Sequence, residues 1–211
     1  MPPLIIHQIV GPKTNQVIDA CLNSWKILEE VDFKIKIWTD ESLQEFVSEH
    51  YLFALEAIIK ARNHAEAADI ARYLIVHHFG GYYFDWDIQL LNPNTFIDIC
   101  EYNPEGFLVI DPVNDTIASE SFSANAGNDY LLALVVEIID IYEKGLRDGM
   151  GTPQFSGPFR MKDSLQKNGP GDLKLIPVKE IFAYDYNEIR AMIPREIVQP
   201  MIHYWLHSWV K

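Results

Sequence analysis

The sequence predicts an α/β layered domain, and three observations carry the prediction. Short apolar or alternating runs typical of strands are separated by longer segments with helical spacing. Gly and Pro punctuate the junctions, as at Gly11-Pro12 and Gly80-Gly81. A chain of 211 residues that is 48% hydrophobic and 22% charged can build one real core and is not expected to be disordered. No internal repeat or low-complexity linker divides it, so residues 1–211 read as a single domain.

The elements follow in order. Leu4 to Val10 is a short apolar run closed by Gly11-Pro12 and reads as a buried first strand. Asn15 to Leu28 has helical spacing through Val17, Ile18, Cys21, Leu22 and Trp25. Phe33 to Trp38 alternates as a half-buried strand does, and Thr39-Asp40-Glu41-Ser42 supplies caps for a helix from about Glu41. Tyr51 to Phe79, rich in Ala, Leu, Ile and Glu, is expected to be mostly helical until Gly80-Gly81 stops it. Tyr82 to Ile88 returns as a strand, and Phe107 to Ile110 is another. Leu131 to Leu146 is a strongly apolar helix, read as core rather than as a membrane anchor. Gly149 to Pro158 is a loop on its Gly and Pro content, a short helix runs to about Lys167, and Leu173 to Pro177 is a last strand. The tail from Met201 is dense in His and Trp.

Composition narrows the function. Seventeen basic against 30 acidic residues give a formal charge of -13, which leaves no basic stripe for nucleic acid. An anionic nucleotide is compatible only if a metal and one or two placed arginines neutralise it locally. No apolar run reaches the length of a bilayer span, and Met-Pro-Pro-Leu-Ile-Ile-His lacks the basic start and cleavage site of a secretory signal. Cys21 and Cys100 are too few for a disulfide framework or a zinc site, so a reduced, cytoplasmic setting is expected.

The most informative segment is residues 80–88, Gly-Gly-Tyr-Tyr-Phe-Asp-Trp-Asp-Ile. On a regular strand Asp85 and Asp87 share one face. Two carboxylates so placed repel each other, and a bound Mg²⁺ or Mn²⁺ relieves the repulsion and can face a diphosphate. On the preceding helix Asp69, Arg72 and Tyr73 stand at i, i+3 and i+4 and share one face. The return through Gly80-Gly81 lays Asp69 and Arg72 beside the aspartate pair, where the planar guanidinium suits a phosphate or sugar hydroxyl. Taken alone, an Asp-Arg pair is usually a solvated helix face; the aspartates downstream reverse that reading.

The run Ala67-Ala68-Asp69-Ile70-Ala71-Arg72-Tyr73 followed by Gly80-Gly81-Tyr82-Tyr83-Phe84-Asp85-Trp86-Asp87 resembles the DXD-containing sugar transferases of glycosyltransferase family 32. These include bacterial capsule-type enzymes and fungal initiating mannosyltransferases; a more distant similarity is to the glucosyltransferase domain of the large clostridial toxins. Ile5-Ile6-His7-Gln8-Ile9 matches the family's opening strand and Trp38-Thr39-Asp40 the end of its second. Ile202-His203-Tyr204 through Ser208-Trp209 matches its closing motif. The resemblance implies a GT-A fold, a Rossmann-like nucleotide-sugar-binding sheet flanked by helices. It implies a UDP- or GDP-sugar donor, a Mn²⁺ or Mg²⁺ cofactor, and retention of anomeric configuration. The implied acceptor is a glycan or lipid-linked saccharide, with capsular or other surface polysaccharide as its class. Peripheral association with the inner face of a membrane would follow from a lipid-linked acceptor.

Carried over by residue, the resemblance implies that Asp87 binds the metal directly and that Asp85 contacts the ribose or sugar and the metal shell. Asp69 and Arg72 would hold the donor sugar's hydroxyls. His203 would be a third metal ligand, or Ser208 and Trp209 would close over the diphosphate. His7, Gln8, Tyr83 and Asn125 complete the implied substrate-binding set. The chain departs from the family at Val10, where a tryptophan usually stacks on the base, and at Ala68, where serine is common.

Simpler readings stand beside these. His203 and His207 are four apart and could share a metal if the tail were helical, but packing by Tyr204, Trp205 and Trp209 explains His207 better and His203 equally well. His77-His78 reads as a buried helix end. Asn128 or Asp129 reads as a helix cap, and Gly157-Pro158 as a backbone device near the acceptor cleft.

Two other functions are weighed. A haloacid-dehalogenase-like phosphatase also carries Asp-x-Asp after an apolar strand. That family, however, places Thr or Val after the motif and sets the motif near the chain start, whereas Ile88-Gln89 follows here and 84 residues precede. Its later acidic pair is also missing, because Gly171-Asp172 runs into Leu-Lys-Leu-Ile. A non-catalytic nucleotide-sugar-binding domain is favoured only by Val10. A dinucleotide oxidoreductase is excluded, since no Gly-x-Gly-x-x-Gly follows a strand.

Overall fold

The computed structural model describes residues 1–191 and 196–206. In chain order its elements are β1 (Ile5–Ile9), α1 (Gln16–Ser24) with a 3-10 extension (Trp25–Val31), β2 (Lys34–Trp38), α2 (Asp40–His50), α3 (Leu52–Ile59) and α4 (His64–Phe79). Then come β3 (Gly81–Phe84), β4 (Ile88–Leu90), α5 (Pro93–Tyr102), β5 (Gly106–Asp111), β6 (Thr116–Ala124) and α6 (Asp129–Glu143). The chain continues through α7 (Thr152–Phe155), α8 (Pro158–Asn168), β7 (Lys174–Pro177), α9 (Val178–Ile181), α10 (Glu188–Ala191) and β8 (Met201–His203). Six strands form one sheet in the order β2-β1-β3-β6-β5-β7, and β4 pairs with β8 in a separate ribbon. β1 runs parallel to β2 and β3, β6 runs antiparallel to β3 and β5, and β7 is parallel to β5.

Local chemistry starts the helices where the sequence places caps. The Asn15 side chain accepts from the N–H groups of Val17 and Ile18, and Thr39 and Ser42 cap each other's backbone reciprocally. Asn128 caps α6 by accepting from the Leu131 N–H, as expected. Both sheet faces are covered, which is why the strands read as apolar runs. One face carries Ile9, Tyr83, Leu108 and Phe122 against α4 and α6. The other carries Ile6, Tyr82, Phe84 and Phe107, with Trp25 stacked on Phe84 at 4.4 Å. α4 lies between the sheet and α6, so Ile70 to Val76 are buried on every side of it. Among the described residues no helix is long and apolar enough to cross a membrane.

Tyr51–Phe79 is mostly helical, as expected, in two helices, because Asn63 takes the Glu66 N–H with its side chain and starts the second. Other expectations needed correction. The strand over Tyr82–Ile88 stops at Phe84: the Ile88 N–H bonds the Asp85 carbonyl at 3.1 Å, which closes a turn, and the chain leaves the sheet for the β4–β8 ribbon. β6 and α5 were not anticipated, β6 because its buried serines mask a strand pattern. The Gly149–Pro158 loop contains the helical turn α7.

The reversal from α4 into β3 depends on Gly80 and Gly81, at φ 65° and 101°. A Cβ on Gly81 would lie 2.5 Å from the Ile5 carbonyl oxygen, and backbone cannot yield as a side-chain tip does. Gly81→Ala is therefore expected to destabilise the fold by roughly 3 kcal/mol or more, from left-handed strain plus overpacking. Denaturant unfolding checks this, and an unchanged midpoint would mean that the hairpin return can relax.

Candidate active site

Ligand sites in open α/β sheets gather outside the carboxyl ends of the parallel strands, and here β1 and β3 end side by side. Above them lies a cleft of about 420 Å³, walled by α4, the Asp85–Asp87 turn, the amino-terminal half of β6 and the segment leading into α8. Turn geometry, rather than strand alternation, brings the two carboxylates together. The β4–β8 ribbon then adds a third group, because Ile88 pairs with His203 and so sets the imidazole beside Asp87. Ligand atoms of Asp85, Asp87 and His203 all lie within 4.8 Å of one another.

Each member is tied down. The Asp87 carboxylate faces His203 Nε2 at 3.2 Å through Oδ1 and accepts the Leu206 N–H at 2.8 Å through Oδ2. Asp85 Oδ1 accepts the Tyr83 hydroxyl at 2.7 Å and faces an Arg72 guanidinium nitrogen at 3.3 Å. Arg72, only 5% exposed, also faces Asp69 at 3.3 Å and donates to the Ser119 carbonyl at 2.9 Å. Asp69 in turn accepts from the Ser156 hydroxyl at 2.8 Å. Arg72 thus spans α4, the DXD turn and β6.

These surroundings drive the carboxylates apart. Burial pushes Asp69 up to about 6, against the pull of Arg72 and Ser156. Burial also raises Asp85, opposed by Arg72 and reinforced by the charge of Asp87. Asp87 moves the other way: burial opposes its charge, but His203 and the Leu206 N–H outweigh it and hold it below the ordinary carboxylate range. His203 is raised to about 10, since Asp87 and Glu120 overcome the cost of burying an imidazolium.

Asp69, Arg72, Tyr83, Asp85, Asp87 and His203 all line the cleft. His7, Gln8 and Asn125 are not brought there. His7 Nδ1 accepts the Trp38 indole N–H at 3.3 Å and its Nε2 meets the Gly80 carbonyl at 2.9 Å, so both nitrogens serve the fold. Burial lowers its pKa to about 4, which keeps the ring neutral with the proton on Nε2. Gln8 is fully buried, and among the described residues neither of its amide atoms is hydrogen-bonded. Asn125 follows Ala124, the partner of Gly81 at the far end of β3 from Asp85, and donates to Glu105 at 2.9 Å. His207, Ser208 and Trp209 lie outside the described residues, and His203 sits on a strand rather than a helix.

The structure adds groups that the sequence reading passed over. Glu120 enters from the unanticipated β6, its carbonyl accepting the Asp85 N–H at 3.0 Å. Ser156 precedes the Gly157-Pro158 turn, and a Cβ on Gly157 would lie 3.2 Å from an Asp69 carboxylate oxygen, so the glycine permits that close approach. Trp205, in a left-handed backbone at φ 45°, stacks on His203 at 4.1 Å. Trp86 lies in the cleft wall where a Cβ on Gly11 would come within 2.8 Å of its ring, so Gly11 makes room for the indole.

Comparison with known proteins agrees with the motif. Residues 16–104 match the family described as "Glycosyltransferase sugar-binding region containing DXD motif". The chain is similar to inositol phosphoceramide mannosyltransferase 3 of Schizosaccharomyces pombe, at 34% identity over 88 residues, 41% of this chain and 24% of that protein. It is also similar to mannosyl phosphorylinositol ceramide synthase SUR1 of Saccharomyces cerevisiae, at 41% identity over 87 residues, 40% of this chain and 22% of that protein. The chain thus matches about a quarter of the length of these relatives. Its fold is shared with the solved PaToxG glycosyltransferase, at TM-score 0.58 and 16% identity, over 81% of this chain and 71% of that one. The expected GT-A sheet is the fold present.

Proposed function

We propose that this chain is a metal-dependent retaining glycosyltransferase, a reading supported by the match of residues 16–104 to the DXD sugar-binding region. It would move a hexosyl unit from a nucleoside diphosphate sugar to a hydroxyl of a glycoconjugate. The observation that carries the reading is the charge of the cleft. Among the described residues Asp69, Asp85, Asp87, Asp111 and Glu120 face it, against the Arg72 guanidinium and the His203 imidazole, so acids outnumber cations. Such a site repels a diphosphate unless a divalent cation intervenes.

The donor set fits that cation. Two carboxylates suit Mg²⁺ or Mn²⁺, and the imidazole of His203 tilts the preference to Mn²⁺. When bound, the ion would neutralise the diphosphate and the charge developing on the leaving group. The protein's own groups do the rest. Arg72 and Asp69, fixed by Ser119 and Ser156, orient the sugar hydroxyls. Tyr83 holds Asp85 at its angle. Trp86 offers the aromatic face that Val10 does not, and the nucleobase stacks there. The acceptor hydroxyl attacks from the side on which the diphosphate departs.

The relatives' names point to mannose as the sugar and to an inositol phosphate lipid as acceptor, while the motif's wider resemblance points to surface polysaccharide. Both acceptor classes would be lipid-linked, and work at a membrane surface on the cytoplasmic side belongs to the same proposal. The test is a panel of UDP- and GDP-sugars with and without Mn²⁺. Slow release of nucleoside diphosphate and free sugar, lost on chelation, is expected. Release of inorganic phosphate from phosphomonoesters would favour a phosphatase instead, and metal-dependent binding without turnover would favour a pure binder.

A further inference from the structure

His203 is held by more than the cluster it joins. Its ring is 4% exposed and lies edge-on between two carboxylates, with Nε2 3.2 Å from Asp87 and Nδ1 3.4 Å from Glu120 Oε1. Trp205 stacks on its face at 4.1 Å and Phe182 lies 5.7 Å away. Among the described residues Nδ1 makes no regular hydrogen bond, so Glu120 is the acceptor it faces. The Glu120 carboxylate itself stands outside the cluster of mutually close ligand atoms. Its backbone is nevertheless joined to that cluster, because its carbonyl accepts the Asp85 N–H at 3.0 Å.

An imidazole that ligates a metal does so as the neutral ring, with one nitrogen free and the other carrying the proton. Which nitrogen is free depends on the acceptor that holds the proton on the other. Resting on the metal-dependent reading above, we propose that Glu120 is a positioning residue. It accepts the Nδ1 proton of His203, fixes the ring plane and aims Nε2 at the point where Asp85 and Asp87 converge. Nothing in the Asp-x-Asp motif encodes this contact. β6 supplies it across the sheet edge, so the carboxylate acts on the ion through the histidine.

Mn²⁺ titration of the whole chain, followed by the electron paramagnetic resonance signal of the free ion, tests the proposal without turnover. Glu120→Ala is expected to weaken Mn²⁺ binding about 10–100-fold, as loss of such supporting partners does. Glu120→Gln keeps an acceptor oxygen and should retain most of the affinity. Glu120→Asp keeps the charge but withdraws it by one methylene, and should lose about 10-fold. In a His203→Ala background, Glu120→Ala should add nothing, because its effect runs through the ring. Equal affinity of Glu120→Asp and wild type, or equal weakness of Glu120→Gln and Glu120→Ala, would show that charge alone matters and overturn the positioning role. Additive losses with His203→Ala would make Glu120 a ligand in its own right and overturn it too. Wild-type protein that binds no Mn²⁺ would instead remove the metal-dependent reading, and this proposal with it.

Discussion

Replacing Asp87 with asparagine is expected to cut turnover by about 10²–10³-fold while the protein stays folded. The magnitude is that of losing one key electrostatic group at a centre where charge develops. Asparagine matches aspartate in shape, and its amide oxygen can still accept the Leu206 N–H, which now bonds Oδ2 at 2.8 Å. What disappears is the negative charge that faces His203 at 3.2 Å and completes the three-ligand cluster. The comparison to make is kcat for metal-dependent donor hydrolysis in wild type and variant, alongside thermal unfolding in EDTA. A variant with near-native kcat would end the role assigned to Asp87, and a variant that unfolds would show the residue to be structural first.

Arg72→Ala is expected to have the largest effect on stability. The guanidinium is buried between Asp69 and Asp85, 3.3 Å from each, so its removal leaves two buried carboxylates uncompensated. Breaking a buried pair in this way costs about 3–5 kcal/mol. Turnover should fall together with stability, because the same group orients the donor. Arg72→Lys keeps the charge but not the planar fork that reaches Asp69, Asp85 and Ser119 at once, and should recover only part of either loss. The sign of the pH dependence follows from the carboxylates. Asp69 already sits at about 6 through burial, above its unfolded value, and loss of Arg72 raises it further. A carboxyl whose folded pKa is raised favours folding while protonated, and that contribution is lost as pH rises through the folded value. The deficit of Arg72→Ala should therefore shrink between pH 8 and pH 5 in metal-free buffer. A deficit that grows on acidification would mean that the two aspartates are not what Arg72 compensates.

The site was legible to the extent that its parts are local. Asp69 and Arg72 fall on one face of α4 because the helical period puts i and i+3 together, and their link to Asp85 needed only the glycine reversal. The Asp85–Asp87 pairing was read correctly for a wrong reason, since a turn and not a continued strand produces it. His7 misled the reading because its position at the end of a strand looks the same in sequence whether the ring faces a ligand or, as here, Trp38 and the Gly80 carbonyl.

By itself the sequence determined the chemistry on offer: an acidic chain, a guanidinium one helical turn from a carboxylate, and two acids separated by one residue. The tertiary structure alone decided which groups meet. His203 reaches Asp87 through the register of the β4–β8 ribbon, and Glu120 reaches His203 from a strand whose serines hide its period. The physical reason is that register between distant strands is set by how whole faces bury. A slip of one residue would turn His203 or Glu120 to the opposite side while leaving every local pattern unchanged.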